Sequence, residues 1–475
     1  MAMRLPMRTY SSSLGLRRSV QSFKVPHHQH RFVSSQSDSY AATTDELLAG
    51  LKKRGLVPGT KLKLHNKTAQ NSPLFYSYHG IALPWDGLRW RKDAGLMILR
   101  YPHLWLRDNC RCPSCVNPET MQRALDTFSI DPQIVAKEVF VEAEGLKVIW
   151  PDDHVSLYPW RWLHTQRRME SVPGRDRGND RYLQKTTLWD ASIAESPPSI
   201  QYDEIMANDK GVGSWTSKIK QFGFCFVEGC PVSPEKTKEL LERISFIRET
   251  HYGGFYDFTS DLTMKDTAYT TQALQAHTDT TYFSDPAGLQ MFHLLSHTDG
   301  DGGESLLVDG FKAAAVLAEE NYDHYRTLSK TYVTWHASGN DGINITPQNA
   351  YPVISHMGVS KLRESKGVSH DLRPLQIRWN NDDRGTLPLL KTHRPGLWYD
   401  AARLWSSILK RSEMEYWVKL VPGRALIFDN WRVLHGRSAF TGKRRMCGGY
   451  INRDDFVSRW RNTNFTKEEV MAQIL

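Results

Sequence analysis

The 475-residue sequence lacks the features of a membrane protein and of a disulfide-rich secreted protein. It contains no run of about 18 or more apolar residues, so we expect no membrane-spanning helix. Cysteine is scarce, with 6 residues, and three of these are crowded at Cys110, Cys112 and Cys115. This spacing does not suit a disulfide scaffold; it suits a reducing compartment and a metal. No internal repeat is visible.

Acidic residues are absent from positions 1–37, and the first one is Asp38. The same segment carries several arginines and is rich in serine, and it accounts for much of the net charge of +9. This composition is typical of a mitochondrial transit peptide. We expect residues 1–40 to be a transit peptide and the mature protein to lie in the mitochondrial matrix; the alternative is a disordered basic terminus. No dense basic face follows, which argues against nucleic-acid binding.

The remaining sequence has an ordinary globular composition, and its length predicts two domains. Residues 60–165 consist of short apolar runs separated by turns, which indicates a small β-rich domain with two strands around the turn at 151–153. Residues 166–200 are polar and are predicted to form a linker. Residues 201–475 combine many short strand-like runs with a few helices. This domain is predicted to be mainly β with α decoration, either a β-barrel or a double-sheet jelly roll.

Helices are predicted at 45–53, 234–249, 311–328 and 398–410. Ser233 is a suitable N-cap for the second of these helices, and Pro234 suits its first turn. Strands are predicted at 289–295, 305–308, 375–379, 425–428 and 446–451.

The central motif of the larger domain is His277-Thr278-Asp279. In an extended segment, residues two apart point to the same side, so an imidazole and a carboxylate can reach one metal ion. His435 follows a predicted strand and can complete a facial triad that leaves positions open for a co-substrate and oxygen. A bare His-X-Asp is common by chance and more often contains an ordinary loop histidine. Arg444 favours a metal site over a chance match, because a buried guanidinium can bind the distal carboxylate of a dicarboxylate co-substrate.

The smaller domain carries a candidate zinc site. Its predicted ligands are Cys110, Cys112, Cys115 and His154. Three thiolates and one imidazole suit a closed, tetrahedral, structural zinc site. The alternative is a set of buried free cysteines.

Three segments resemble those of the carnitine-biosynthesis dioxygenases: 277–283, 302–310 and 429–437. The resemblance extends over roughly residues 60–470 and implies a double-stranded β-helix that uses Fe(II), 2-oxoglutarate, O2 and ascorbate. It implies that Arg444 binds the C5 carboxylate of 2-oxoglutarate, assisted by the Ser305 hydroxyl. A surface arginine and a turn serine are the alternatives. The zinc positions also match those of the family, in which homodimers are common.

The resemblance further implies a trimethylammonium cage. Its predicted members are Tyr252, Tyr256, Tyr269 and Tyr450. Aromatic faces attract quaternary ammonium groups, although most aromatic residues in any protein belong to the core. Asn380 and Asn381 resemble paired amides that contact the substrate carboxylate, and Asn381 is the preferred candidate.

Asp266 distinguishes the two branches of the family. The γ-butyrobetaine branch has a neutral amide at the matching position, whereas an aspartate would pair with the α-ammonium of trimethyllysine. A solvated loop charge is the alternative. The resemblance therefore implies 3-hydroxylation of N6,N6,N6-trimethyllysine, the first step of carnitine biosynthesis. The rival hypotheses are γ-butyrobetaine hydroxylation on the same scaffold and a catalytically inactive, zinc-containing binding protein.

Overall fold

The computed structural model describes residues 75–77, 80–85, 97–167, 186–259, 270–356, 374–387 and 395–474. The predicted transit peptide, the predicted helix at 45–53, Asp266 and Tyr269 lie outside the described residues. The chain divides into two compact units, Met1–Leu157 and Tyr158–Leu475. Among the described helices, none has both the length and the apolar character needed to cross a membrane.

Two three-stranded sheets form in the amino-terminal part of the chain. They consist of β1 (Phe75–Ser77), β2 (Gly80–Trp85) and β3 (Met97–Tyr101), and of β4 (Glu138–Val141), β5 (Gly145–Ile149) and β6 (Val155–Pro159); helix α1 spans His103–Asp108. The predicted turn at 151–153 is confirmed. Trp150 donates its N–H to the carbonyl oxygen of His154 at 2.9 Å, and Asp153 has a positive φ of 59°. This tight connection brings His154 to the start of β6.

The second unit contains most of the helices and strands. Its helices are α2 (Trp160–Arg167), α3 (Tyr202–Ala207), α4 (Asp209–Phe222), α5 (Pro234–Glu242), α6 (Gly310–Glu320), α7 (Tyr322–Lys330), α8 (Pro395–Leu409), α9 (Arg453–Asn464) and α10 (Lys467–Ile474). Its strands are β7 (Ser199–Gln201), β8 (Phe224–Glu228), β9 (Tyr256–Thr259), β10 (Leu274–His277), β11 (Leu289–Thr298), β12 (Ser305–Asp309), β13 (Ile354–His356), β14 (Pro374–Ile377), β15 (Tyr416–Val418), β16 (Arg424–Asp429), β17 (Val433–Arg437) and β18 (Lys443–Ile451).

Two sheets of the second unit pack face to face. The larger has the strand order β7-β8-β16-β11-β18-β9, and the smaller has the order β10-β17-β12-β15. A buried cluster joins Phe226, Leu426 and Phe428 of the larger sheet to Leu307 and Val433 of the smaller one. Pairing is antiparallel in both sheets except between β7 and β8. The predicted combination of short strands with helices is confirmed. Because the described helices of this unit contain more residues than its strands, the domain is mixed rather than mainly β.

Two of the predicted helices have different bounds in the structure. Ser233 caps α5 as predicted, but the helix ends at Glu242. The residues that follow are not helical, and Arg248 donates its N–H to the carbonyl oxygen of Tyr450 at 2.8 Å instead of to a carbonyl of the helix. The segment predicted as one helix at 311–328 is two helices, α6 and α7. Asn321 separates them, and its side chain accepts a hydrogen bond from the N–H of His324, which caps α7.

The predicted linker at 166–200 is wrong for residues 186–200, and residues 168–185 lie outside the described residues. Trp189 is buried, and its indole N–H donates to the carbonyl oxygen of Phe222 at 2.6 Å. Strand β7 then pairs with β8. A polar average composition concealed the one large aromatic side chain that anchors this segment in the second unit.

A buried ion pair holds the end of β12 to the turn between β16 and β17. Arg432 donates from Nε and Nη2 to the two carboxylate oxygens of Asp309, at 3.0 and 2.7 Å. The side chains are 2% and 0% exposed. Arg432 also donates to the carbonyl oxygens of Gln221 and Thr187, and Asp309 accepts from the N–H of Phe311 at the start of α6. Every hydrogen bond in this group is charge-assisted.

Replacing Asp309 with asparagine should destabilise the protein by roughly 3–5 kcal/mol, because Arg432 would remain buried without its counter-charge. Denaturant unfolding followed by tryptophan fluorescence would measure this loss. The control is Asp400→Asn, since Asp400 pairs with Arg403 on the surface, where the side chains are 57% and 81% exposed. That change should cost no more than about 1 kcal/mol. Equal effects of the two substitutions would contradict the expectation.

Candidate active site

Two histidines face each other on neighbouring strands. His277 ends β10 and lies opposite His435 of β17, with ring centroids 4.4 Å apart. The strands can approach this closely because position 436 is a glycine: a Cβ there would lie 2.6 Å from the carbonyl oxygen of Leu274. The missing side chain therefore helps to set the separation of the two imidazoles.

Asp279 follows His277 by two residues, and Asn430 holds its backbone. The Asn430 side chain accepts from the N–H of Asp279 at 2.8 Å and donates to the carbonyl oxygen of Asp279 at 3.0 Å. The same amide also donates to the carbonyl oxygen of Ala287 at 3.0 Å. Asn430 is almost fully buried, so these hydrogen bonds are not exchanged with water. They fix the direction in which the Asp279 side chain points from the backbone.

The side chains of His277, Asp279 and His435 converge. One carboxylate oxygen of Asp279, Oδ1, lies 3.2 Å from His277 Nε2 and 3.7 Å from His435 Nε2. All three ligand atoms lie within 4.8 Å of one another. Ligands about 2.1 Å from a metal and at right angles would be about 3 Å apart. The three residues thus fit a divalent metal, and two histidines with one carboxylate are the donor set of non-haem Fe(II) oxygenases.

The ionisation of this cluster also suits a metal. His277 donates from Nδ1 to the carbonyl oxygen of Gln275 at 2.7 Å, which turns Nε2 toward the cluster. Burial lowers the pKa of His277, but the hydrogen bond and the charge of Asp279 outweigh burial and raise this pKa, so a bound metal would displace a proton from Nε2. Burial, reinforced by the nearby His277, lowers the pKa of His435 to about 3, so this imidazole is neutral. Burial alone would raise the pKa of Asp279, but the two histidines and a hydrogen bond from Tyr450 lower this pKa well below its usual value. A neutral imidazole and an ionised carboxylate are the forms that bind metals.

The second carboxylate oxygen of Asp279, Oδ2, is turned toward the larger sheet. It accepts from Gln290 Nε2 at 2.7 Å and from the Tyr450 hydroxyl at 2.9 Å. Gln290 of β11 and Tyr450 of β18 are directly opposite each other in the sheet. One oxygen of the carboxylate therefore faces the two histidines, and the other faces two hydrogen-bond donors of the larger sheet.

Arg444 is buried on β18, as predicted. Its side chain is on the same face of the strand as that of Tyr450, six residues along. The guanidinium carbon lies 5.1 Å from the centroid of the Phe440 ring. Gly303 has a positive φ of 71°, and a Cβ there would lie 3.1 Å from Arg444 Cδ, so the side chain packs against bare backbone. Ser305, at 9% exposure, begins β12 two residues later. Among the described residues, no carboxylate forms an ion pair with Arg444.

Three of the four predicted cage tyrosines are described. Tyr256 and Tyr450 are neighbours, with ring centroids 5.9 Å apart and planes inclined at 68°. The Tyr256 hydroxyl donates to the carbonyl oxygen of Met291 at 2.6 Å. Tyr252 accepts a hydrogen bond from the hydroxyl of Tyr282 at 3.2 Å. Aromatic surface therefore lies beside the cluster of His277, Asp279 and His435, through Tyr450.

Asn380 and Asn381 line a cavity of about 620 Å³ that His277 also lines. Asn380 donates to Asp383 at 2.8 Å and accepts from the N–H of Asp382 at 3.1 Å, so its amide is engaged locally. Asn381 is exposed, and among the described residues its side chain has one hydrogen bond, a long one of 3.5 Å accepted from Arg384. Asn381 is therefore the freer of the two amides.

The predicted zinc ligands converge in the first unit. The Sγ atoms of Cys110, Cys112 and Cys115 lie 3.3, 3.6 and 3.5 Å from His154 Nε2. Around a tetrahedral zinc ion, a sulfur at about 2.3 Å and a nitrogen at about 2.05 Å would be about 3.6 Å apart. The four ligand atoms thus fit this geometry. Arg107 donates to the sulfur of Cys115 at 3.2 Å, where it would offset part of the negative charge of a metal-bound thiolate.

Several residues of this site were missed at the level of sequence. Asn430 and Tyr282 stood within the segments that carried the family resemblance, but nothing in their spacing indicated what they contact. Gln290 offered one signal, as an amide in the otherwise apolar start of β11. Arg107, close to the cysteines in sequence, could have been suspected as a partner for thiolates.

Comparison with known proteins agrees with this geometry. Residues 180–450 match the family described as taurine catabolism dioxygenase TauD, TfdA family, and residues 85–164 match gamma-butyrobetaine hydroxylase-like, N-terminal. Trimethyllysine dioxygenase of Neurospora crassa is 48% identical over 406 residues, covering 78% of this chain and 82% of that protein. Human mitochondrial trimethyllysine dioxygenase is 40% identical over 376 residues, covering 77% and 83%. Human gamma-butyrobetaine dioxygenase is 27% identical over 366 residues, covering 76% and 90%. With such similarity over most of its length, the chain belongs to the trimethyllysine dioxygenase family.

Proposed function

We propose that this chain hydroxylates N6,N6,N6-trimethyllysine at C3, using Fe(II), 2-oxoglutarate and O2, in the first step of carnitine biosynthesis. The observation that carries the proposal is the contact between Tyr450 and Asp279, because it sets a cation-binding aromatic surface directly beside a set of Fe(II) ligands. The names and identities of the relatives from Neurospora crassa and human support the choice of substrate over γ-butyrobetaine.

In the proposed site, His277, Asp279 and His435 hold the iron. Arg444 binds the C5 carboxylate of 2-oxoglutarate, and Ser305 assists it. The buried guanidinium supports this role, since no carboxylate among the described residues forms an ion pair with it, Glu304 acting only at longer range, and a dicarboxylate would supply a direct partner. Bound Fe(II) and 2-oxoglutarate supply the oxidising power for inserting one oxygen atom of O2 into a C–H bond.

The residues around the metal position the substrate. Tyr252, Tyr256, Tyr269 and Tyr450 form the trimethylammonium cage, in which the ring faces attract the permanent positive charge. At the other end of the substrate, Asp266 pairs with the α-ammonium and Asn381 contacts the α-carboxylate. With both ends anchored, one C–H bond is held at the metal, and this positioning is the protein's main contribution to the rate.

The cysteine cluster of the first unit is proposed to hold a structural zinc ion. All four positions would be filled by Cys110, Cys112, Cys115 and His154, which leaves none for catalysis. We further propose that the second unit is a double-stranded β-helix and that ascorbate keeps the iron reduced. The mitochondrial names of the vertebrate relatives support a location in the mitochondrial matrix, and a homodimer is the expected assembly.

Product analysis tests the proposed activity. The purified protein would be incubated with Fe(II), 2-oxoglutarate, ascorbate and O2, with trimethyllysine and γ-butyrobetaine in separate reactions, and the products measured by mass spectrometry. We expect a product one oxygen atom heavier from trimethyllysine and little from γ-butyrobetaine. Product from γ-butyrobetaine alone would support the proposed iron chemistry and contradict the proposed substrate. No product from either would favour an inactive, zinc-containing binding protein.

Changing Asp266 to asparagine tests the basis of substrate choice. The KM for trimethyllysine should rise about tenfold or more, because a charge-assisted contact to the α-ammonium is lost. Turnover of γ-butyrobetaine should improve, since its carboxylate would no longer meet a like charge. The control is Asp257→Asn, which removes a carboxylate that pairs with Arg445. The assignment of Asp266 fails if both variants have the same kinetic constants.

Metal analysis tests the zinc site. The purified protein should contain one zinc ion per chain, and Cys112→Ser should lose it because one of four ligands is removed. Cys225→Ser is the matched control, since Cys225 is a buried cysteine outside the cluster. This variant should retain zinc, as measured by atomic emission. Full zinc content in the Cys112 variant would contradict the proposal.

A further inference from the structure

We propose that Tyr450 has two tasks: its ring forms a wall of the ammonium cage, and its hydroxyl, together with Gln290, orients Asp279 to bind the metal through a single oxygen. This inference rests on the proposed function, and it adds a positioning role that links the substrate surface to the metal ligands.

The geometry separates the two oxygens of Asp279. Gln290 and Tyr450 both donate to Oδ2, at 2.7 and 2.9 Å, from adjacent strands of one sheet. Oδ1 is the oxygen that lies near the Nε2 atoms of His277 and His435, at 3.2 and 3.7 Å. Two donors on Oδ2 prevent the carboxylate from rotating to present both oxygens, so one more position on the metal stays open for the co-substrate or O2.

The Gln290 side chain keeps its amide nitrogen toward Asp279 although this leaves its own oxygen without a hydrogen bond from any described residue. Its side chain is 2% exposed, and Oε1 is buried without a hydrogen-bond partner among the described residues. Turning the amide over would set Oε1 against the Asp279 carboxylate, with two acceptors facing each other. The amide nitrogen therefore stays toward Asp279, and the acceptor stays unsatisfied.

The ring and the hydroxyl of Tyr450 move as one rigid body. A cation seated against both Tyr256 and Tyr450, in the corner formed by rings inclined at 68° with centroids 5.9 Å apart, restrains the Tyr450 ring and with it the hydroxyl that holds Asp279. Substrate binding and metal binding then share a coupling free energy, and this coupling acts in both directions. Trimethyllysine should tighten metal binding, and the metal should tighten trimethyllysine binding.

Tyr256 provides a matched comparison within the same cage. Its hydroxyl donates to the backbone carbonyl of Met291. Among the hydrogen bonds between described residues, none joins this hydroxyl to His277, Asp279 or His435. Replacing either tyrosine with phenylalanine keeps the aromatic ring and removes one hydroxyl. The two variants differ in whether that hydroxyl is bound to a metal ligand.

The experiment measures metal affinity directly, without turnover. Titration calorimetry with Mn(II), and with Fe(II) under anaerobic conditions, would be done on the full-length protein with and without trimethyllysine. We expect Tyr450→Phe to weaken metal binding about 10-fold or more and to lose most of the tightening by trimethyllysine. Without trimethyllysine, Tyr256→Phe should bind the metal with an affinity within about twofold of that of the unmodified protein. Gln290→Met should also lower the metal affinity, as Tyr450→Phe does.

The possible outcomes separate this inference from the proposed function. Equal metal affinities for Tyr450→Phe and Tyr256→Phe, or a trimethyllysine effect that survives in Tyr450→Phe, would overturn it. His277→Ala tests the proposed function on the same instrument, since it removes a ligand. Unchanged metal affinity in that variant would reject the iron site itself. Thermal melting of each variant identifies any loss of affinity that reflects unfolding.

Discussion

The buried pair of Arg432 and Asp309 is the interaction on which the second unit depends. It fastens the end of β12 to the turn that leads into β17, and β17 carries His435. Each partner also forms hydrogen bonds with backbone groups of other segments. Removing either charge would therefore leave several buried donors or acceptors without a partner. The position of one proposed iron ligand is therefore set by an ion pair that does not contact the metal cluster.

The sequence predicted the elements of the larger domain better than their ends. Short apolar runs identified five strands of this domain, which correspond to β11, β12, β14, β16 and β18, but missed others, among them β8 and β17. The cap at Ser233 located the start of α5 correctly. The end of α5 was missed because Arg248 bonds to β18 instead of continuing the helix, and that strand lies far along the chain. The break at Asn321 was missed because the apolar pattern continues across it, although asparagine favours a cap over a helix interior. Tertiary contacts and single polar residues decided these cases.

The ligand residues of the candidate site were predictable because donor chemistry limits the choice to histidine, carboxylate and thiolate. The spacing of His277 and Asp279 and the cluster at Cys110 carried enough information. The residues that orient the ligands were not predictable in the same way. Asn430 and Gln290 act through amides, which occur throughout any surface or core. Asp279, the partner of both, is 151 residues from Asn430 and 11 residues from Gln290, and neither spacing is a recognisable motif. Only the paired strands bring them together.

The order of the strands has a consequence for how the chain acquires its metals. In the smaller sheet, β17 lies between β10 and β12, although it is the last of the three to be synthesised. A chain emerging amino terminus first therefore contains all four cysteine-cluster ligands by His154, long before His435 exists. Since domains fold as units and a chain entering the mitochondrial matrix would arrive amino terminus first, the two candidate metal centres would mature at different times. Capture of iron would then be confined to a nearly complete chain.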